Sequence, residues 1–174
     1  MEKVVADTSA LISLGVSGVM DKCLEIAEIS IPRAVAEELE EIAAYEDKEG
    51  KAAVLILDFL RKGRIAKVEL REKSKAERLL SNDVDRGEAE CFALCLENDI
   101  KKLLMDDVDA GYSLEGLTKA EGIKIRISVA LISALVKKKM MDKNRAIEAV
   151  RRMANVREWE GGVLEVLAKR YFGI

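Results

Sequence analysis

The sequence predicts an α/β fold, a three-layer α/β/α sandwich with a mostly parallel central sheet and further helices towards its C-terminal end. Three observations predict it: short apolar runs recur along the chain, amphipathic stretches of helical period separate them, and turn residues mark most of the boundaries. Parallel strands need such helical crossovers, because a tight turn cannot return the chain to the same end of a sheet. With 49% apolar and 35% charged residues among 174, the chain can build a core under a charged surface, a composition that speaks against disorder.

Val4 to Ala6 is the first apolar run, followed by an amphipathic stretch from about Ser9 to Ile26. Ile29-Ser30-Ile31 reads as a strand leading into Pro32, well placed at the first position of a helix reaching about Tyr45. A second helical segment, Lys51 to Arg61, stops at Gly63, and Ile65 to Leu70 reads as a strand before a charged, helix-compatible connection to Asn82. Gly87 to Glu97 is helical, Leu103-Leu104-Met105 strand-like, and Asp109 to Glu121 helical up to Gly122, with a last strand over Ile123 to Ile127. From Ser128 the pattern is helical: Val129 to Lys139, a helix capped by Asp142 to about Ala154, and Glu160 to Arg170.

Composition excludes several chemistries. No histidine occurs, which removes Ser-His-Asp and Cys-His nucleophile systems and histidine-ligated zinc. Cys23, Cys91 and Cys95 form no C-x-x-C pair and fit a reducing cytoplasm, with Cys91 and Cys95 packed beside Phe92. No apolar stretch approaches the roughly 18 residues of a membrane span, so no membrane role is expected. Gly15-x-x-Gly18 lacks a dinucleotide-binding glycine pattern and a P-loop lysine. Acid-base or metal chemistry therefore falls to carboxylates.

Open α/β sheets bind ligands beyond the carboxyl ends of their strands. Asp7, with Thr8 and Ser9 beside it, follows the first strand, and Asp106-Asp107 follow Leu103 to Met105. Taken singly, each suits a helix cap or turn. Helical phase adds two more acids. On the helix around Cys91, Glu88 falls at about 60°, among Phe92 at about 100°, Cys95 at about 40° and Leu94 at about −60°, whereas Glu90 and Glu97 fall at about −100° and −120°, towards the polar side. In the Pro32 helix Val35, Leu39 and Ile42 span about −20° to 40°, and Glu38 at about −60° borders that stripe while Glu37, Glu40 and Glu41 face water. A carboxylate on a buried face is costly unless a cation or a metal compensates it. Four carboxylates without histidine or thiolate specify a hard cation, Mg²⁺ or Mn²⁺, of the kind that serves phosphoryl chemistry.

Val4-Val5-Ala6-Asp7-Thr8-Ser9, Ile31-Pro32-x-x-Val35-x-x-Glu38-Leu39, Asp85-x-Gly87-Glu88-Ala89-Glu90 and Leu104-Met105-Asp106-Asp107 together resemble the four blocks of PIN domain nucleases, over most of residues 4 to 127. The G-E-A-E block is similar to the VapC-like branch. The resemblance implies a PIN-like nuclease core over residues 1–127, with 128–174 as a helical extension packed on the same domain. It implies that Asp7, Glu38, Glu88 and one or both of Asp106 and Asp107 bind the metal of a Mg²⁺- or Mn²⁺-dependent ribonuclease, that Asp7, Glu38, Glu88 and Asp106 are catalytic, and that Thr8 or Ser9 assists as a polar group. It further implies an RNA substrate, a homodimer, and in a toxin role a small antitoxin partner. In place of the basic residue often found after the aspartates of this branch, the chain has Val108-Asp109-Ala110-Gly111.

The net charge of −3 means that RNA affinity has to come from local patches and bound metal, and an aromatic content of 4% does not support a broad stacking platform. Two other functions are compatible with the same acids: a non-catalytic PIN-like binding or scaffolding module, and a Mg²⁺-dependent phosphatase.

Overall fold

A computed structural model of the chain describes residues 1–173. β1 (Glu2–Ala6), β2 (Ala27–Ile31), β3 (Ile65–Lys67), β4 (Lys102–Leu104) and β5 (Lys124–Arg126) form a sheet of order β3-β2-β1-β4-β5 in which every adjacent pair is parallel. Val4, Val5 and Ala6 are fully buried, as are Leu103 and Ile31, because a parallel sheet is covered on both faces and its inner strands read as continuous apolar runs. The edge strand β5 carries exposed Lys124 and Arg126, which discourage pairing with another chain.

The chain steps outwards from β1 to β3, then returns past β1 to lay down β4 and β5 on its other side. Connections leaving β1 and β4 therefore diverge, and a crevice opens at their carboxyl ends. The Asp7 backbone N–H donates to the Leu104 carbonyl at 3.0 Å, which aligns the two strand exits.

The helices are α1 (Thr8–Ser17), α2 (Met20–Ile26), α3 (Arg33–Ile42), α4 (Lys48–Arg61), α5 (Lys73–Glu77), α6 (Arg86–Glu97), α7 (Val108–Ala120), α8 (Val129–Lys137), α9 (Lys143–Val156) and α10 (Val163–Phe172). The three-layer α/β expectation holds. α9 packs on α1, and α8 on α2, α9 and α10, so the last three helices share the core of the first two.

Local differences have physical causes. The stretch read as one amphipathic segment from Ser9 to Ile26 is two helices, broken at Gly18, whose φ of 74° is left-handed and ends α1. Pro32 is extended and caps α3 without a side-chain acceptor. That helix start is instead satisfied by Glu90, whose Oε2 accepts from Ala34 N at 3.0 Å. Glu90 is therefore 7% exposed, in contrast to the solvated residue expected from its phase, because the wheel knows only its own helix and not the end of α3 lying against it. Cys23, Cys91 and Cys95 are buried free thiols, as packing in the core requires.

Candidate active site

The crevice contains a cavity of about 200 Å³ lined by Asp7, Thr8, Ser9, Glu38, Asp85, Glu88, Asp107 and Arg157, with Ile12, Ile42 and Gly87. Each acid arrives by a local rule. Asp7 is the N-cap of α1, its Oδ1 accepting from Ala10 N at 2.8 Å, and Ser9 Oγ donates to both of its carboxylate oxygens. Asp107 caps α7 in the same way through Ala110 N at 2.9 Å. Asp85 and Glu88 form a reciprocal capping box at the start of α6: Glu88 N donates to Asp85 Oδ1 and Asp85 N to Glu88 Oε2, both at 2.9 Å. Glu38 reaches across from α3 and accepts a hydrogen bond on Oε2 from Thr8 Oγ1. A Cβ on Gly87 would overlap Glu38 Oε1 and come within 3.0 Å of its carboxyl carbon, so glycine is what admits this carboxylate to the start of α6.

In Glu38, Glu88 and Asp107 these bonds occupy one oxygen and leave the other, and in Asp7 they reach both. Among the described residues, Glu38 Oε1, Glu88 Oε1 and Asp107 Oδ2 receive no protein donor, and Asp7 Oδ2 receives only the Ser9 hydroxyl. The capping roles and a ligand role are thus compatible in the same side chain. Asp106 differs. It does not line the cavity, and its Oδ1 and Oδ2 accept from Ser128 N at 2.7 Å and Ser128 Oγ at 2.6 Å. Its own N–H donates to Ser9 Oγ at 3.0 Å, so Ser9 ties the two strand exits together.

Electrostatics separate these acids from their neighbours. Glu37 and Glu90 take Arg33 and Arg86, yet among the described residues Asp7, Glu38, Glu88 and Asp107 make no salt bridge. Burial pushes Glu88 up to about 7, helped by the charges of Asp85, Asp107 and Glu38 and opposed by the Asp85 N–H. Asp7 is raised well above the usual carboxylate range, first by burial and further by Asp106 and Glu88, against its bonds from Ala10 and Ser9. Glu38 is raised by burial despite the Thr8 hydroxyl. Asp106 is also raised by burial, with Ser128, Ser13 and Arg157 pulling the other way. No histidine, cysteine, aspartate or glutamate trio among the described residues is closed around a single point. The arrangement is an open set of oxygen donors.

A family model for the PIN domain matches residues 3–161, which is most of the chain. The chain belongs to the PIN domain family. PIN domains are generally nucleases that bind RNA and use divalent metal ions. No curated protein matches the chain. The PIN match runs past residue 127 and takes in α8 and α9, so these helices lie within the matched region.

The acids of this PIN domain are of the donor type such an ion takes. Carboxylate oxygens are the ligands of hard divalent cations, and Mg²⁺ in particular retains several waters, so an open set with unused oxygens suits it better than a closed cage would. The cavity brings together Asp7, Thr8, Ser9, Glu38, Glu88 and Asp107, and leaves Asp106 behind its wall. Three further residues were not singled out in the sequence. Asp85 is visible in retrospect as the partner in a D-x-x-E capping box. Ser128 and Arg157 had no local signal, since both act on acids that precede them in the chain by 20 residues or more.

Proposed function

We propose that this protein is a metal-dependent endoribonuclease of PIN type that cleaves single-stranded RNA. The observation that carries the reading is the group of carboxylates without salt bridges at the switch point of the sheet, buried at Asp7 and Glu88, half-buried at Glu38 and exposed at Asp107, in a chain of a family whose members are generally nucleases. Left alone these acids repel one another, and a divalent cation relieves that repulsion.

In this reading Glu38, Glu88 and Asp107 hold Mg²⁺ or Mn²⁺ through their unused oxygens and Asp7 through Oδ2, which it shares with the Ser9 hydroxyl, and Asp106 supports the site through Ser9 and Ser128. When bound, the ion orients an attacking water and neutralises charge on the phosphate oxygens. The protein's part is placement. Ser9 fixes both oxygens of Asp7, Thr8 holds Glu38 at the rim, and the capping box sets the direction of Glu88. Glu88 has to release its proton to act as a ligand, so metal affinity and cleavage should rise as pH passes through about 7. The VapC-like resemblance extends the proposal to a cytoplasmic toxin that forms a homodimer and is held inactive by a small antitoxin. Among the described residues, no helix is long and apolar enough to cross a membrane.

One observation favours the non-catalytic alternative: a cation, Arg157, already stands in the cavity. Incubating the protein with labelled single-stranded RNA in Mn²⁺ or EDTA, beside Asp7→Asn, decides between them. Cleavage that needs Mn²⁺ and drops at least about a hundred-fold in Asp7→Asn supports the nuclease, whereas identical behaviour of both proteins in both solutions rejects it.

A further inference from the structure

Arg157 is the only cation among the residues lining the acidic cavity. It follows α9 as its C-cap and also lines a second cavity with Asp47, Glu49 and Asn155, so it forms part of the wall between the two. One guanidinium nitrogen donates to Glu49 of α4. Its Nε is buried and has no partner, the single such side-chain nitrogen or oxygen among the described residues. A buried donor without an acceptor is costly, and it marks a guanidinium that the chain's own groups leave incompletely satisfied.

The neighbouring acids do not complete it. Asp7, Glu38, Glu88 and Asp107 keep their own capping and hydroxyl bonds and make no ion pair with Arg157. A site meant for a phosphodiester also has to overcome the repulsion that its carboxylates exert on the phosphate. A planar guanidinium held by one edge to a glutamate, with donors remaining, matches phosphate geometry.

We infer that Arg157 is a substrate-binding residue, whose guanidinium takes a non-bridging oxygen of the RNA phosphate brought against the acids while Glu49 holds it in place. The inference rests on the ribonuclease reading above. It assigns to α9 a direct part in the site, supplied from a segment 50 residues beyond Asp107 in the chain.

The test uses a short labelled single-stranded RNA and the full chain carrying Asp7→Asn, so that RNA is bound without being cut. Adding Arg157→Gln should weaken binding about ten-fold, as expected for loss of one hydrogen bond to a charged group. The slope of log affinity against log salt should fall by about 0.7, the share of one phosphate contact on a single strand. Glu49→Gln, which breaks the same ion pair but leaves the cation, should keep the slope, and a merely structural pair would not separate the two variants. Arg157→Lys, added to Asp7→Asn, should keep the salt slope but lose part of the affinity, because an ammonium keeps the charge without the planar fork, and it carries the test if Arg157→Gln does not fold. Unchanged affinity and slope in Arg157→Gln, with wild type cleaving RNA and Mn²⁺ stabilising the variant more than the parent, would make Arg157 only a counter-ion and overturn the inference alone. A wild type that neither binds nor cleaves RNA overturns the ribonuclease reading and this inference together.

Discussion

At the scale of residues, Glu88 joins two jobs that pull its charge in opposite directions. As the third residue of α6 it accepts the Asp85 N–H, which favours the carboxylate, while burial and three nearby acids favour the acid form and prevail. Below the usual glutamate value of 4.5 it is protonated in both the folded and unfolded chain and costs nothing. Between 4.5 and about 7 the unfolded chain has lost this proton and the folded chain retains it, so metal-free stability should decline as pH rises through that window and level off above it. Urea midpoints from pH 4.5 to 8 should show the decline, to which raised Asp7, Glu38 and Asp106 also contribute, and Glu88→Gln should make it shallower; an equal slope in the variant would assign the effect to those other groups. Helical phase made Glu38 and Glu88 legible in the sequence, because both lie on or beside an apolar stripe. The same reasoning misplaced Glu90, whose partner is the backbone of another helix, and it had no means of choosing between Asp106 and Asp107. The proposal takes Asp107 because Ser128 occupies both oxygens of Asp106.

At the scale of elements, the exits of β1 and β4 are joined through hydroxyls. Ser9 bridges Asp7 to the backbone of Asp106, and Ser128, which precedes α8, secures the Asp106 carboxylate. Removing one hydroxyl from a fully buried carboxylate leaves that acceptor short of a donor, so Ser128→Ala should cost about 1–3 kcal/mol. Chemical denaturation measures it directly, and a change below about 0.5 kcal/mol would mean that the Ser128 N–H alone suffices. Several element boundaries were written plainly in the chain: Asp142 caps α9 by accepting from Arg145 N at 2.9 Å, and Gly63 and Gly122 take the left-handed turns that follow α4 and α7. The break at Gly18 was not, since apolar residues continue on both sides of it and only the left-handed backbone ends α1. β3 and β5 are three residues each, shorter than their apolar runs, because strand length is set by the partner strand and not by hydrophobicity alone.

At the scale of the whole molecule, alternation of strand and helix announced a parallel sheet but not its order. Placing β4 beside β1 instead of beside β3 is a choice among several right-handed arrangements, all with the same local pattern. That choice creates the crevice, and the crevice makes the proposed metal site a property of the entire fold. Mn²⁺ bound to the folded chain and not to the unfolded one should stabilise it by about 2.7 kcal/mol at a hundred times its dissociation constant. For a chain of this size that is a rise in Tm of about 5–10 °C, reversed by EDTA. Thermal melts in Mn²⁺ and in EDTA check it, and superimposable curves would count against a metal site. The distribution of basic residues told little in the sequence, since the cation that reaches the acids comes from neither a run nor a motif.

The residues lining the acidic cavity extend from Asp7 to Arg157. A chain growing on the ribosome therefore presents its last acid, Asp107, well before the arginine. At about 5–20 residues per second, the 50 residues between them take roughly 3–10 s to make. During that interval the nascent protein carries every carboxylate of the site and lacks the group that would draw a phosphate to it. In the ribonuclease reading, that order withholds the inferred phosphate-binding residue from the acids until α9 has been made.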